Sequence, residues 1–386
     1  MPKKAKNTKQ KYVNNPFDFV LCIIIFLLLS LGIVMVLSAS APSSLSMYGN
    51  SYHFVVRQGI FAIVGIIVML FVSKLDYHIL KRFYKVAYVI GIVALLSVVF
   101  PGIGVEINGA RRWIDVGLGS FQPSEITKIC LIIFYAGYLT ENKNKLNSFW
   151  EGCVKAFVPL IPPILILYFL QNHLSAAIVM VAISSIMMIM AGIRVKHFAT
   201  LGGAGGAAAI AAMLLLSKVK GSGGGSFRLA RIVSFLDPWA DARGDGWQVI
   251  QGLYAIGSGG LFGVGLGQSK QKYLYIPEPH NDFIFAIIAE ELGFVGCLAV
   301  ILLFGAFIWR GLLTAMKTED SFGSLLAVGI TSLVGIQAII NIAVVTSSMP
   351  NTGMSLPFIS YGGTALLILL FSMGILLNIS RNTSKV

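Results

Sequence analysis

The chain has 386 residues, 56% of them hydrophobic and only 12% charged. Soluble domains carry about 25% charged residues, so a string of soluble domains is excluded and the hydropathy reads as one polytopic membrane bundle. The net charge of +13 does not point to nucleic acid, because the basic residues sit in short loops between apolar runs; membrane orientation and anionic lipid account for them.

The N-terminal stretch 1–16 holds Lys3, Lys4, Lys6, Lys9 and Lys11 and reads as a basic tail. The apolar run from Phe17 to about Ala39 is longer than the ~7–15 residues of a signal-peptide core. Ala39-Ser40-Ala41 is therefore not taken as a cleavage site, and the run is an uncleaved first span. A spanning helix needs ~20 mostly apolar residues. Candidate spans lie near 17–39, 55–73, 84–100, 126–141, 154–170, 174–192, 198–217, 282–309, 322–348 and 359–379. The expected fold is an all-α membrane bundle of about ten spans, a single domain over 17–380 followed by a short tail, 381–386. Pro159, Pro162 and Pro163 predict a kinked fifth span, which a membrane bundle tolerates. Small residues from Gly202 to Ala209 open the seventh span and suit close helix approach. No internal repeat is evident, which disfavours an inverted-repeat transporter. Cys22, Cys130, Cys153 and Cys297 lie in or beside apolar runs without short spacings, a pattern of buried free thiols rather than zinc ligands or disulfides.

Loop charges orient the bundle. If the Lys-rich N-terminus is cytoplasmic, so are the loops holding Lys74, Lys81, Arg82 and Lys85, then Lys143, Lys145 and Lys155, then Arg194 and Lys196, then Arg310 and Lys317, and the tail with Arg381 and Lys385. Loops 40–52 and 349–358 carry no Lys or Arg. This is the positive-inside pattern with both termini cytoplasmic. Two outer segments depart from it: 101–124, with Arg111 and Arg112, and 218–281, with Lys218, Lys220, Arg228, Arg231, Arg243, Lys270 and Lys272. Long loops tolerate charge; an anionic ligand at the outer surface is the functional alternative. The second segment is too long for a structureless loop. Its stretch 247–257 reads as an interfacial helix, and 221–226 as a flexible linker.

Polar residues of the outer segments gather in four runs. They are Asn108-Gly109-Ala110-Arg111-Arg112-Trp113 with Gln122-Pro123-Ser124-Glu125 and Lys128; Asp237-Pro238-Trp239 with Arg243 to Gln248; Pro277-Glu278-Pro279-His280-Asn281-Asp282-Phe283; and Pro350-Asn351-Thr352-Gly353 with Ser360-Tyr361-Gly362-Gly363. In this order, between these spans, they resemble the SEDS family of bacterial membrane proteins over about 15–380. The run Tyr273 to Ala286 and Leu377-Asn378-Ile379-Ser380-Arg381 look most like its division and sporulation branch, FtsW and SpoVE; the elongation branch, RodA, shares enough to stay open. The resemblance implies a peptidoglycan glycosyltransferase in the bacterial cytoplasmic membrane. Its substrate would be lipid II, a disaccharide-pentapeptide on undecaprenyl pyrophosphate. Its partners would be a class B penicillin-binding protein and other division or sporulation proteins. The family's catalytic aspartate carries over to Asp282.

The residues can carry the chemistry that the resemblance implies. Asp282 is a carboxylate at the mouth of an apolar span, a functional candidate by default or a helix N-cap. A sugar hydroxyl attacking an anomeric carbon needs a base. The departing pyrophosphate needs cations, with Arg111, Arg112, Arg243 and Lys128 as candidates and arginine favoured for bidentate contact. Trp113, Gln248, Glu278, His280, Thr352 and Ser360 complete the expected substrate-binding set. Mg²⁺ or another divalent ion could assist through one or two carboxylates and the phosphates, but no His/Asp cluster requires it, and no metal ligand is assigned. Glu290 and Glu291 lie eight and nine residues past Asp282, about 12–13.5 Å along a helix. They read as structural or coupling residues, with Gln337 or Asn341 or a basic group as partner. Gln171-Asn172-His173-Leu174 departs from the Gln-Pro-Asp-Leu pattern of SEDS relatives. Two other classes compete: a transporter that flips lipid-linked precursor, and a non-catalytic scaffold. A flippase should carry polar residues across the whole bilayer, whereas here they concentrate outside.

Overall fold

The structure, a computed structural model, describes residues 16–100, 104–107, 110–115, 120–200, 235–244 and 246–382. The first helix, α1 (Phe19–Tyr48), starts where Asp18 accepts from the Leu21 N–H at 3.1 Å, a side-chain N-cap. It runs well past the expected end at 39 and through Pro42, stopping at Gly49 in the left-handed conformation. Helices α2 (His53–Val72), α3 (His78–Arg82) and α4 (Tyr84–Ser97) follow.

The next segment corrects the all-α expectation. β1 (Gly104–Ile107), β2 (Ala110–Asp115) and β3 (Ser120–Phe121) form an antiparallel sheet in the order β1-β2-β3. Apolar Val105, Trp113 and Ile114 alternate with Glu106, Arg111 and Asp115 around a bulge, a two-residue period that suits strands.

Pro123 opens α5 (Pro123–Glu141), where its missing N–H costs nothing. The expected kinked span is α6 (Phe149–Leu170), built of π, 3₁₀ and α turns around Pro159, Pro162 and Pro163; prolines break the regular hydrogen-bond ladder. Then come α7 (Leu174–Met190), α8 (Trp247–Gly259), α9 (Ile284–Lys317), α10 (Ser321–Val345) and α11 (Gly363–Ser380). Helix α8 covers the 247–257 stretch expected to be helical. The seventh predicted span, the Gly202–Ala209 stretch, the 221–226 linker and Lys218, Lys220, Arg228 and Arg231 lie outside the described residues.

Among the described residues, α1, α2, α6, α9, α10 and α11 are long and apolar enough to cross a membrane, while α4 and α7 are apolar but shorter. Helix α10 is the centre of the bundle. The most apolar stretch of α10 is 72% buried, against 28% for α2, and α10 packs on α5, α7, α9 and α11. Helices α2 and α4 expose Ile60, Ile63, Ile67, Val86, Val89 and Val93, apolar faces of the kind that meet lipid.

Helix α9 is broken at Gly293 (φ 67°, ψ −165°). The chain at 260–265, leaving α8, enters the break: Val264 and Gly265 N–H groups donate to the carbonyls of Glu290 and Glu291, and Phe294 and Val295 donate to those of Gly260 and Leu261. A Cβ at Gly293 would lie 2.3 Å from the Gly263 nitrogen, so only glycine fits there. At the far end of the same helix, Arg310 donates twice to Asp18, at 3.0 and 2.5 Å, and the Asp18 N–H donates to Ser380 Oγ at 3.0 Å. The start of α1 and the end of α11 thus share one end of the bundle, opposite Asp282.

Candidate active site

A cavity of about 370 Å³ opens at the end of the bundle where α9 begins. The sheet, the start of α5, the turn before α7, the segment preceding α9 and the start of α11 surround it. Of the residues expected from sequence, Arg112, Trp113, Lys128, Glu278 and Asp282 line it together. Tyr361, Gly362 and Gly363 line it too.

Arg112 reaches the cavity through a defect in the sheet. The pairing passes from Val105↔Trp113 to Glu106↔Arg111, leaving Arg112 as the extra residue of a β-bulge, a device that re-aims a side chain. Its Nε donates to the Gln171 carbonyl at 3.1 Å and its Nη2 to that of Asn172 at 2.5 Å. Lys128 sits one turn into α5, only 1% exposed, and its Nζ donates to Glu125 at 2.8 Å. Burying an ammonium is costly unless it is paired, and Glu125, which also lines the cavity, supplies the partner.

The segment preceding α9 contributes two acidic side chains. Glu278 accepts from the Asn281 side chain at 2.7 Å, and Asp282 lies two residues before α9. The backbone carbonyl of Asp282 accepts from Asn341 Nδ2 at 2.7 Å; the same amide donates to the Met354 carbonyl at 2.6 Å. Asn341, buried in α10, therefore fixes Asp282 against the 349–358 segment. It does not pair with Glu290 or Glu291. Those carboxylates instead hold the segment 269–272, with Lys272 donating to Glu291 at 2.8 Å.

Six expected residues lie off the cavity lining. Arg111 pairs with Glu106 at 3.3 Å, both about half exposed, because the bulge sends it away from Arg112. Arg243 lies in the turn after a 3₁₀ segment, Pro238–Asp241. Gln248 Oε1 accepts from Asn351 Nδ2 at 3.1 Å, joining α8 to the segment before α11. His280 is buried against Phe54 and Tyr361, with ring centroids 4.5 and 5.6 Å away. Burial holds its pKa down to about 4, against an ordinary 6.5, so it is a neutral packing group. The Thr352 carbonyl accepts from Ser175 Oγ at 2.7 Å. Ser360 Oγ accepts from the Leu356 N–H at 2.8 Å, and Ser360 lines a smaller adjoining space. Asn108, Gly109 and Asp245 are outside the described residues.

His173 and Gln122 line the cavity although neither was a site candidate. His173 is held neutral, at about 3, by burial first and then by the charges of Arg112 and Lys128. Gln58 was also missed. Buried in α2, it donates to the Ser360 carbonyl and accepts from the Gly362 N–H, both at 3.2 Å, so it holds the mouth residues in place. A buried amide in an apolar span was the available signal for both Gln58 and Asn341.

Chemically, the cavity gathers the carboxylates of Glu125, Glu278 and Asp282 with an arginine and a lysine. Such an arrangement can take a proton from one group while it stabilises anionic charge on another. Among the described residues no group of three or more His, Cys, Asp or Glu side chains could hold a metal ion.

Fold and site define a multi-pass membrane protein with a bipolar cavity at one end of its helical bundle. The comparisons with known proteins give the family. Residues 19–385 match the model of the FtsW/RodA/SpoVE family, described as cell cycle proteins, and the chain belongs to that family. It is 44% identical to stage V sporulation protein E of Bacillus subtilis (strain 168) over 364 residues, covering 94% of this chain and 97% of the relative. It is 40% identical to a probable peptidoglycan glycosyltransferase FtsW of Trichlorobacter lovleyi, covering 94% and 93%. Among solved structures, a chain from work on the coordination of polymerization and crosslinking by a peptidoglycan synthase complex superposes with a TM-score of 0.78 at 26% identity, covering 95% of this chain and 98% of that one. Thermus thermophilus RodA superposes at 0.67 with 25% identity, covering 96% and 98%.

Proposed function

We propose that the chain is a peptidoglycan glycosyltransferase of the division and sporulation branch, polymerising lipid II at the outer face of the bacterial cytoplasmic membrane. One observation carries the reading: Asp282 shares a single cavity with Arg112 and Lys128. Asp282 takes the proton from the attacking sugar hydroxyl, whose oxygen forms the new bond to the donor's anomeric carbon. The bond from that carbon to the phosphate oxygen breaks, and undecaprenyl pyrophosphate leaves with the electron pair. Arg112 and Lys128 offset the charge that develops on the leaving group. The diphosphate is already a good leaving group, so no general acid is needed. A divalent ion would be held mainly through the diphosphate, with Glu278 as a carboxylate ligand, and would add charge stabilisation there.

The reading includes about ten spans with both termini cytoplasmic. The shared position of Asp18 and Ser380 at the end opposite Asp282 and the positive-inside pattern support it. A class B penicillin-binding protein is the proposed partner, in line with the peptidoglycan synthase complex that the fold resembles. The purified chain, assayed on lipid II with and without such a partner, should yield glycan strands and release undecaprenyl pyrophosphate. Transbilayer movement of lipid II in liposomes without polymer would replace this reading by a transporter.

A further inference from the structure

The segment that delivers Asp282 is tied to its own helix by a buried ionic cluster. Glu291 accepts from Ser38 Oγ at 2.7 Å, the Ser269 N–H at 3.3 Å and Lys272 Nζ at 2.8 Å. Lys272 Nζ also donates to Ser38 Oγ at 3.1 Å and the Gly267 carbonyl at 2.7 Å, so all three of its N–H groups have acceptors. Glu290 accepts from Ser269 Oγ at 2.5 Å, the Lys270 N–H at 2.8 Å and the Gln271 N–H at 3.4 Å. The Lys272 and Glu291 side chains are 4% and 0% exposed.

None of these side chains lines the cavity, so the cluster does not touch a ligand there. Its burial alone is weak evidence of added stability. A buried ion pair is often replaceable by apolar packing at no cost, whereas it can specify one arrangement among several. An ammonium with three acceptors on three elements permits one register of the loop against α9 and α1. That register matters because the loop ends on Asp282, and a misplacement of about 1 Å at a reacting group can cost about 10²-fold in rate.

We propose that Lys272 and Glu291 are positioning residues that hold the 260–283 segment in register and so set Asp282 against the Arg112–Lys128 wall. This rests on the proposed lipid II polymerase reading. The test uses the full chain in nanodiscs with lipid II as the probe. Lys272→Met and Glu291→Gln should each lower kcat at least about 10-fold with KM within about twofold. The paired change Lys272→Glu with Glu291→Lys should recover most of the loss. Hydrogen–deuterium exchange gives a readout free of activity: 260–283 should exchange faster in Lys272→Met, with α10 unchanged. Wild-type kcat in Lys272→Met overturns the proposal. So does faster exchange throughout the chain, which would make Lys272 a general structural element. A wild-type chain inert on lipid II, alone and with its partner, would instead sink the functional reading, while exchange at 260–283 still decides the latch.

Discussion

Arg112 is clamped to the carbonyl of Asn172, 60 residues further along the chain. The contact ties the sheet to the turn before α7 and holds the guanidinium at the cavity wall. Its neighbour Arg111 faces away, pairing with Glu106 at an exposed site. Arg112→Ala should therefore lower kcat/KM on lipid II by about 10² or more, the scale for loss of one donor to developing charge. Arg111→Ala should change it less than about twofold, since exposed pairs contribute little. Parallel steady-state assays check the contrast, and equal losses would mean that both arginines meet the substrate.

Asp282 lies outside the hydrogen-bonded body of α9, so Asp282→Asn keeps a similar shape while removing the carboxylate proposed as the base. Polymerisation should fall by about 10²–10⁴, with lipid II binding nearly unchanged. Binding lost in step with rate would make Asp282 a ligand contact instead.

The contrast between Arg111 and Arg112 also marks where sequence reading stops. Apolar runs of spanning length disclosed most of the bundle, and the Pro277–Phe283 motif located Asp282. Residues 101–124 read as a loop because their strands are short and the apolar alternation is interrupted. Even with strands assigned, simple alternation would have put Arg111 on the same face as Trp113. The bulge at Arg112 reverses that, and it is a tertiary feature. Lys272 misled for a related reason. Counted as one more basic residue of an outer loop, it lies buried against Glu291, and only the re-entry of that loop beside α9 reveals the partner.

Two buried histidines predict a pH dependence of stability. His280 is held down to about 4 by burial, and His173 to about 3 by burial together with Arg112 and Lys128. Unfolded, both return to the ordinary value of 6.5, so between these values the unfolded chain binds more protons. Stability therefore falls as pH drops through about 6.5 towards 4. Thermal unfolding between pH 7.5 and about 5 should show Tm falling. His280→Phe, which keeps a ring between Phe54 and Tyr361, should flatten that slope. The same variant should leave the activity profile above about pH 6 unaltered, because His280 is already neutral there.

The break in α9 gives a test with an internal control on one helix. Gly293 combines φ 67° with backbone atoms of Gly263 and Leu261 at 2.3 and 2.6 Å from the position of a Cβ. Neither neighbour is a flexible side chain, so the chain must move. Gly293→Ala should favour a straighter α9 that expels 260–265 and loses the contacts from Val264 and Gly265 to the Glu290 and Glu291 carbonyls. The 269–272 segment, which Glu290 and Glu291 also hold, would lose its seat, and Asp282 its placement. Polymerisation should drop by about 10², and limited proteolysis should cut within 260–283. Gly305 lies further along α9 with nothing within 4 Å of its Cβ position. Gly305→Ala should leave activity intact and add up to about 1 kcal/mol of helix stability. If Gly293→Ala behaved like Gly305→Ala, α9 would tolerate closure of the break, and the inserted loop would not be what places Asp282.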